Sequence, residues 1–134
     1  MKIVLDTNVF ISGIFFGGAP SRILRGWRER KIQIVVSESI LEEYRLVARR
    51  LAREFPGIDL TPFLRLLAVK ARVYRVSRLP LRVCEDPEDD KFLSCALASG
   101  SRVIVSGDKK LLKASGYSGI RVVTPRRFVE EYLG

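Results

Sequence analysis

The sequence predicts an α/β fold built on a parallel sheet with helices on both faces, and three observations carry that expectation. Short apolar runs of strand length, at residues 3–5, 32–36, 103–106 and 120–123, alternate with segments of helical spacing. The first of them, Ile3 to Leu5, is apolar throughout rather than alternating, as a strand covered on both faces must be. No hairpin turn joins consecutive runs, so each connection has to cross over to a parallel neighbour.

The elements follow in order. After the first strand comes an apolar helix over 9–16, interrupted by Gly17-Gly18. A second helix begins near Pro20, which suits a first turn, and carries Arg22, Arg25, Arg28 and Arg30. The strand at 32–36 leads to Ser37, a cap for a long helix that runs to about Phe55 and stops at Pro56-Gly57. Thr61-Pro62 opens a helix to about Ala71, and 73–76 is either a short strand or an extended connection. A polar, basic stretch, 77–85, precedes a helix that starts at Asp86-Pro87 and ends at Gly100. The strand at 103–106, one or two helical turns over 109–114, the strand at 120–123 and a helix opened by Thr124-Pro125 complete the chain.

With 134 residues and 47% hydrophobic content, the chain reads as one domain, 1–134, able to bury a real core. No apolar run approaches the roughly 20 residues of a membrane span, and the start lacks a signal-peptide layout, so the expected location is the cytoplasm. Cys84 and Cys95 lack paired metal spacing, which argues against structural zinc and for reduced, partly buried thiols. A disulfide between them is the alternative that a hyperthermophilic source would favour, and Asn8 and Gln33 are the only side-chain amides. The formal charge of +9 calls for an anionic partner, most simply nucleic acid. The chain has no histidine, so any hydrolysis must run on carboxylates, lysine or metal-activated water.

Four acids stand out from their neighbours. Asp6 falls where the first strand ends, the edge at which open parallel sheets bind ligands, although Asp6 and Thr7 are also good helix caps. Glu43 borders the apolar stripe Ile40, Leu41, Tyr44, Val47, Ala48 and Leu51, whereas Glu42 lies opposite it and reads as a solvated acid. In the run 85–90, Asp86 and Asp89 are explained as helix-start acids. Asp90 precedes Leu93, Ser94 and Leu97 at buried-face spacing and is preferred as a ligand, with Asp89 second. Asp108 follows its strand as Asp6 does, with a loop or cap role as its rival reading. Carboxylates gathered in one crevice repel each other and require a cation, and oxygen donors favour Mg²⁺ or Mn²⁺.

The run DTNVFISGIF, the segment SESILEEYRLVARR, the helix DPEDDKFLSCALA and the strand VIVSGDKKLL resemble, in order, the four signatures of the PIN domain. The similarity covers essentially the whole chain and is closest to small prokaryotic members, which include VapC-like toxins of toxin–antitoxin systems. It implies a three-layer α/β/α sandwich with a central parallel sheet and a Mg²⁺- or Mn²⁺-dependent endoribonuclease. It carries catalytic and metal-binding roles to Asp6, Glu43, Asp90 and Asp108, with Asn8, Ser106 and Asp89 in support. An RNA substrate, a small antitoxin partner and a homodimer also follow from the resemblance.

Arg45, Arg49 and Arg53 recur every four residues and can track phosphates, and Lys91, Lys109 and Lys110 lie close in sequence to the acids, although a stripe of this kind is more often only a solvated face. Trp27 and Tyr117 are candidate stacking platforms for single-stranded RNA, although core packing explains an aromatic at least as well. Two other classes compete. A PIN nuclease of RNA processing would have no antitoxin, and a non-catalytic RNA-binding module would bind without cleaving. A phosphoacceptor receiver domain needs an acidic pair at its first strand, which this chain lacks.

Overall fold

In the computed structural model, which describes residues 1–79 and 82–134, β1 (Lys2–Leu5) runs through the middle of a five-stranded sheet. On one side it pairs with β2 (Gln33–Ser37), which pairs with β3 (Arg72–Tyr74). On the other it pairs with β4 (Val103–Val105), which pairs with β5 (Arg121–Val123), and every pairing is parallel. The chain moves outward from β1 through β2 to β3, then returns to the opposite side of β1, so a topological switch point lies between β1 and β4. The expected α/β fold is the observed one, and the central strands explain why. Ile3, Val4, Leu5, Ile34, Val35 and Val36 are all fully buried, as only a sheet covered on both faces allows. The ambiguous segment at 73–76 gives β3, displaced by a residue. Its Arg72 and Val73 are exposed, because an edge strand needs less apolar character.

Seven helices flank the sheet among the described residues: α1 (Thr7–Phe15), α2 (Gly18–Arg28), α3 (Glu38–Glu54), α4 (Thr61–Lys70), α5 (Asp90–Ser99), α6 (Lys109–Leu112) and α7 (Pro125–Phe128). α1 starts two residues earlier than its apolar run suggests, so Thr7 is both helical and buried. Gly17, at φ 79°, turns the chain between α1 and α2. The two helices then close on Gly13, where a Cβ would stand 2.7 Å from Leu24 Cδ1 and 2.8 Å from the Pro20 carbonyl. Ser37 caps α3 as expected, its Oγ accepting from the Ile40 amide at 3.3 Å.

Three expectations are corrected here. The helix predicted from Asp86 begins instead as a 3₁₀ turn over Pro87–Asp89, and α5 proper starts at Asp90. Asp86 does cap that turn, its Oδ1 accepting from the Glu88 amide at 3.0 Å. Leu97 is 45% exposed and does not belong to the buried face, which Phe92, Leu93, Cys95 and Ala96 form against β1, β2 and β4. Trp27 is 2% exposed and sits edge-on to Phe10, which stacks on Tyr44 with centroids 4.4 Å apart, so Trp27 is core rather than an RNA platform. Tyr117 likewise packs against the core.

Cys84 and Cys95 are free and buried, and burial pushes both thiols up to about 12. No described helix is long and apolar enough to cross a membrane. Of the basic stretch 77–85, Pro80 and Leu81 lie outside the described residues.

Candidate metal centre

The site grows from the end of β1. Asp6 extends the ladder by one bond, its amide donating to the Val105 carbonyl at 2.9 Å, and its own carbonyl accepts from the Val9 and Phe10 amides as α1 begins. The buried Tyr44 hydroxyl donates to the Leu5 carbonyl and fixes the strand end from the other side. By position Asp6 is the N-cap of α1, yet its side chain makes no cap hydrogen bond, and the nearby Asn8 amide only favours its ionised form. The Asp6 carboxylate turns instead toward β4, where Oδ2 accepts from Ser106 Oγ at 2.6 Å. Ser106, fully buried, takes a hydrogen bond from the Asp108 amide on the same oxygen at 3.0 Å, which leaves its proton directed at Asp6. Burial raises the Asp6 pKa; Ser106 opposes that rise, and the charges of Asp108 and Glu43 add to it.

Asp108 is half-buried at the head of α6, its Oδ1 accepting from the Lys110 amide at 2.9 Å. The capping role anticipated for it is therefore real and occupies one oxygen.

The neighbours Asp89 and Asp90 divide their work in a way that periodicity alone does not reveal. Asp90 turns back onto the segment before it: Oδ1 accepts from the Cys84 amide at 2.7 Å and Oδ2 from the Val83 amide at 3.1 Å. Both oxygens are occupied by backbone, as in a loop anchor. Asp89 makes no such backbone bonds among the described residues. Its Oδ2 is buried without a hydrogen-bond partner, and its pKa is pushed up to about 6, first by burial and then by the charges of Asp6, Asp108 and Asp86. Asp89 thus feels the charges of Asp6 and Asp108, whereas both Asp90 oxygens are taken up by backbone amides.

Glu43 reaches the rim of the same crevice from α3 and is held on both oxygens. Thr7 donates its hydroxyl to Oε1, and Lys91 forms an ion pair with Oε2 while lying 3.8 Å from Glu88. Lys91, expected near phosphate, is paired here with acids. Thr7 was missed as a site residue because its only sequence signal, a hydroxyl beside Asp6, is equally that of a helix cap. Asn8 is exposed on the first turn of α1, and Arg45, Arg49, Lys109 and Lys110 are exposed.

Among the described residues, no group of three or more His, Cys, Asp or Glu side chains stands ready to enclose a metal. Mg²⁺ does not require such a cage, since it is commonly held by one or two carboxylates, its waters and substrate phosphates. The donors present fit that mode: oxygen ligands only, two of them with pKa values raised by burial and by neighbouring carboxylates, and one buried oxygen with no partner.

Asp6 and Asp108 follow the ends of β1 and β4 in an all-parallel sheet, which is an α/β arrangement with its acids at the topological switch point. A model of the PIN domain matches residues 2–110, and the chain belongs to the PIN domain family, whose members are in general metal-dependent nucleases. The chain is also 32% identical over 145 residues to the uncharacterized protein MJ1680 of Methanocaldococcus jannaschii, across 98% of this chain and 92% of that protein.

Proposed function

We propose that this chain is an endoribonuclease that hydrolyses RNA with Mg²⁺ or Mn²⁺ held by Asp6, Asp89 and Asp108. Glu43 stands at the rim, and Asn8 lies on the first turn of α1. The observation that carries the reading is the orphaned Asp89 oxygen beside two further carboxylates. Family membership supports a metal-dependent nuclease in general. When bound, a divalent ion supplies a Lewis acid for the phosphoryl group and a source of hydroxide at neutral pH.

The chain's own residues prepare that chemistry. Ser106 fixes the rotamer of Asp6, so the carboxylate meets the ion without reorganising. Thr7 and Lys91 hold Glu43 at the edge, close enough to raise the Asp6 pKa. Arg45 and Arg49 line a surface groove of about 510 Å³ with Glu42, Glu43 and Leu46, and Lys109 and Lys110 follow Asp108, so positive charge surrounds the acids where a phosphodiester backbone must lie.

Cleavage of defined RNAs with and without divalent ions, followed by sequencing of the ends, tests the assignment. Asp6→Asn should lose more activity than the roughly 10–100-fold typical of removing a group behind a ligand, with folding retained by circular dichroism and products of the active wild type carrying a 5′-phosphate. Equal cleavage by the variant sinks the proposal, and binding without cleavage by both proteins makes the chain an RNA-binding module.

Within that activity, we assign the chain the role of toxin in a toxin–antitoxin pair. Expression should halt growth, a small co-expressed partner should restore it, and Asp6→Asn should be harmless. A harmless but active wild type would instead make it a nuclease of RNA processing.

A further inference from the structure

Phe15 and Phe16 at the end of α1 meet Phe55 at the end of α3, with ring centroids 5.6–6.3 Å apart, and this cluster stands on the surface. Phe16 is 63% and Phe55 39% exposed. The other exposed aromatic among the described residues, Tyr132, is accounted for by packing on Phe128 and a hydrogen bond from Arg121. Phe16 and Phe55 have only one another and Phe15 as ring partners among the described residues, and both stay exposed. Within six residues before Phe55 lie Arg49, Arg50 and Arg53, all exposed and, among the described residues, without an ion pair. The cluster is also tied to the acidic crevice by a single rigid element. Thr7, which bonds Glu43, opens α1, and Phe16 follows its last residue, roughly 13 Å further along at a helix's rise per residue.

We propose that Phe16 and Phe55 form a base-stacking subsite for single-stranded RNA, with Arg49, Arg50 and Arg53 on its backbone. This rests on the ribonuclease reading and adds to it where the strand runs: from the acids along α1. Exposed rings at the end of a helix whose last turns carry unpaired arginines match a ligand that offers flat π-faces and phosphates together. A second copy of the chain matches less well. The exposed parts of two phenylalanines amount to at most a few hundred Å², against the roughly 800 Å² each partner buries in a stable interface.

The test is equilibrium binding of a short fluorescent oligouridylate in EDTA, where no cleavage intervenes, with Phe16→Ala/Phe55→Ala, Phe16→Leu/Phe55→Leu and Phe16→Trp. Both double variants should weaken binding by about tenfold or more, since stacking on each ring is separately measurable in such sites. Phe16→Trp should bind as wild type does, with its added fluorescence quenched by single-stranded RNA and unchanged by a duplex. Wild-type affinity in the leucine variant overturns the proposal, because the patch then needs only apolarity. So does a change from dimer to monomer in sedimentation with RNA affinity unaltered. The nuclease reading fails separately, by cleavage in Asp6→Asn equal to wild type, and ring-dependent RNA binding would survive that result.

Discussion

Two acidic regions of this chain use the same side chains to opposite ends. Near the C-terminus, Glu131 accepts from Arg127 Nε at 2.9 Å and pairs with Arg121 at 3.1 Å, while Glu130 pairs with Arg126 at 3.2 Å. These acids are exposed, and the Arg127 and Arg121 hydrogen bonds hold the Glu131 pKa below its ordinary value. Asp6 at the end of β1 and Asp89 in the turn before α5 have no ion-pair partner among the described residues, and burial together with neighbouring carboxylates raises their pKa values. A carboxylate that has found an arginine is a surface clasp of small energetic consequence. One kept from every arginine, in a chain with nine more cationic than acidic side chains, is available for something else. Glu43 stands between the two cases, in the crevice but bound by Lys91.

The contrast is sharpest between adjacent residues. Asp89→Asn should abolish divalent-ion binding by calorimetry and cleavage with it. Asp90→Ala should retain ion binding and lose about 1–3 kcal/mol of unfolding free energy in urea, because two amides lose their acceptor. The reverse pattern would return the ligand role to Asp90.

Ser106→Ala should have the next largest effect, lowering divalent affinity by about 10–100-fold while Asp6 itself remains. Affinity titrations in Mg²⁺ and Mn²⁺ read it directly.

A third effect appears in stability against pH. The folded chain holds the Asp89 proton up to about pH 6, whereas an unperturbed aspartate releases it near 3.8. Because the native state binds the proton more tightly, stability falls as pH rises through that window and stays lower above it. Measured without divalent ions, the melting temperature of Asp89→Asn should therefore overtake wild type between about pH 4 and pH 6, and Mg²⁺ should close the gap by stabilising wild type alone. Glu131→Gln is the control of smallest effect, with cleavage unchanged and no gain in stability over that window.

Much of this was readable from spacing. The run Ile3 to Leu5 marks its strand because a strand covered on both faces has no polar positions to spare, and Asp6 and Asp108 stand out as the first acids beyond two strand-length runs. The choice between Asp89 and Asp90 was not readable. Periodicity taken back from Leu93 and Ser94 assumes that a helix already exists at Asp89, but a 3₁₀ turn precedes α5 and residues 83–84 fold over Asp90. The hold on Glu43 was hidden for another reason: its partners lie 36 and 48 residues away.

By itself, the order of residues determined the parallel sheet, the family and the surplus of positive charge, since these depend on composition and on patterns repeated within a few residues. Tertiary structure alone decided which acids keep free oxygens and which aromatics stay in water. Trp27 was claimed by the core and Phe16 was not. A side chain's availability depends on the donors and surfaces that distant segments bring to it, and those are set only when the chain closes on itself.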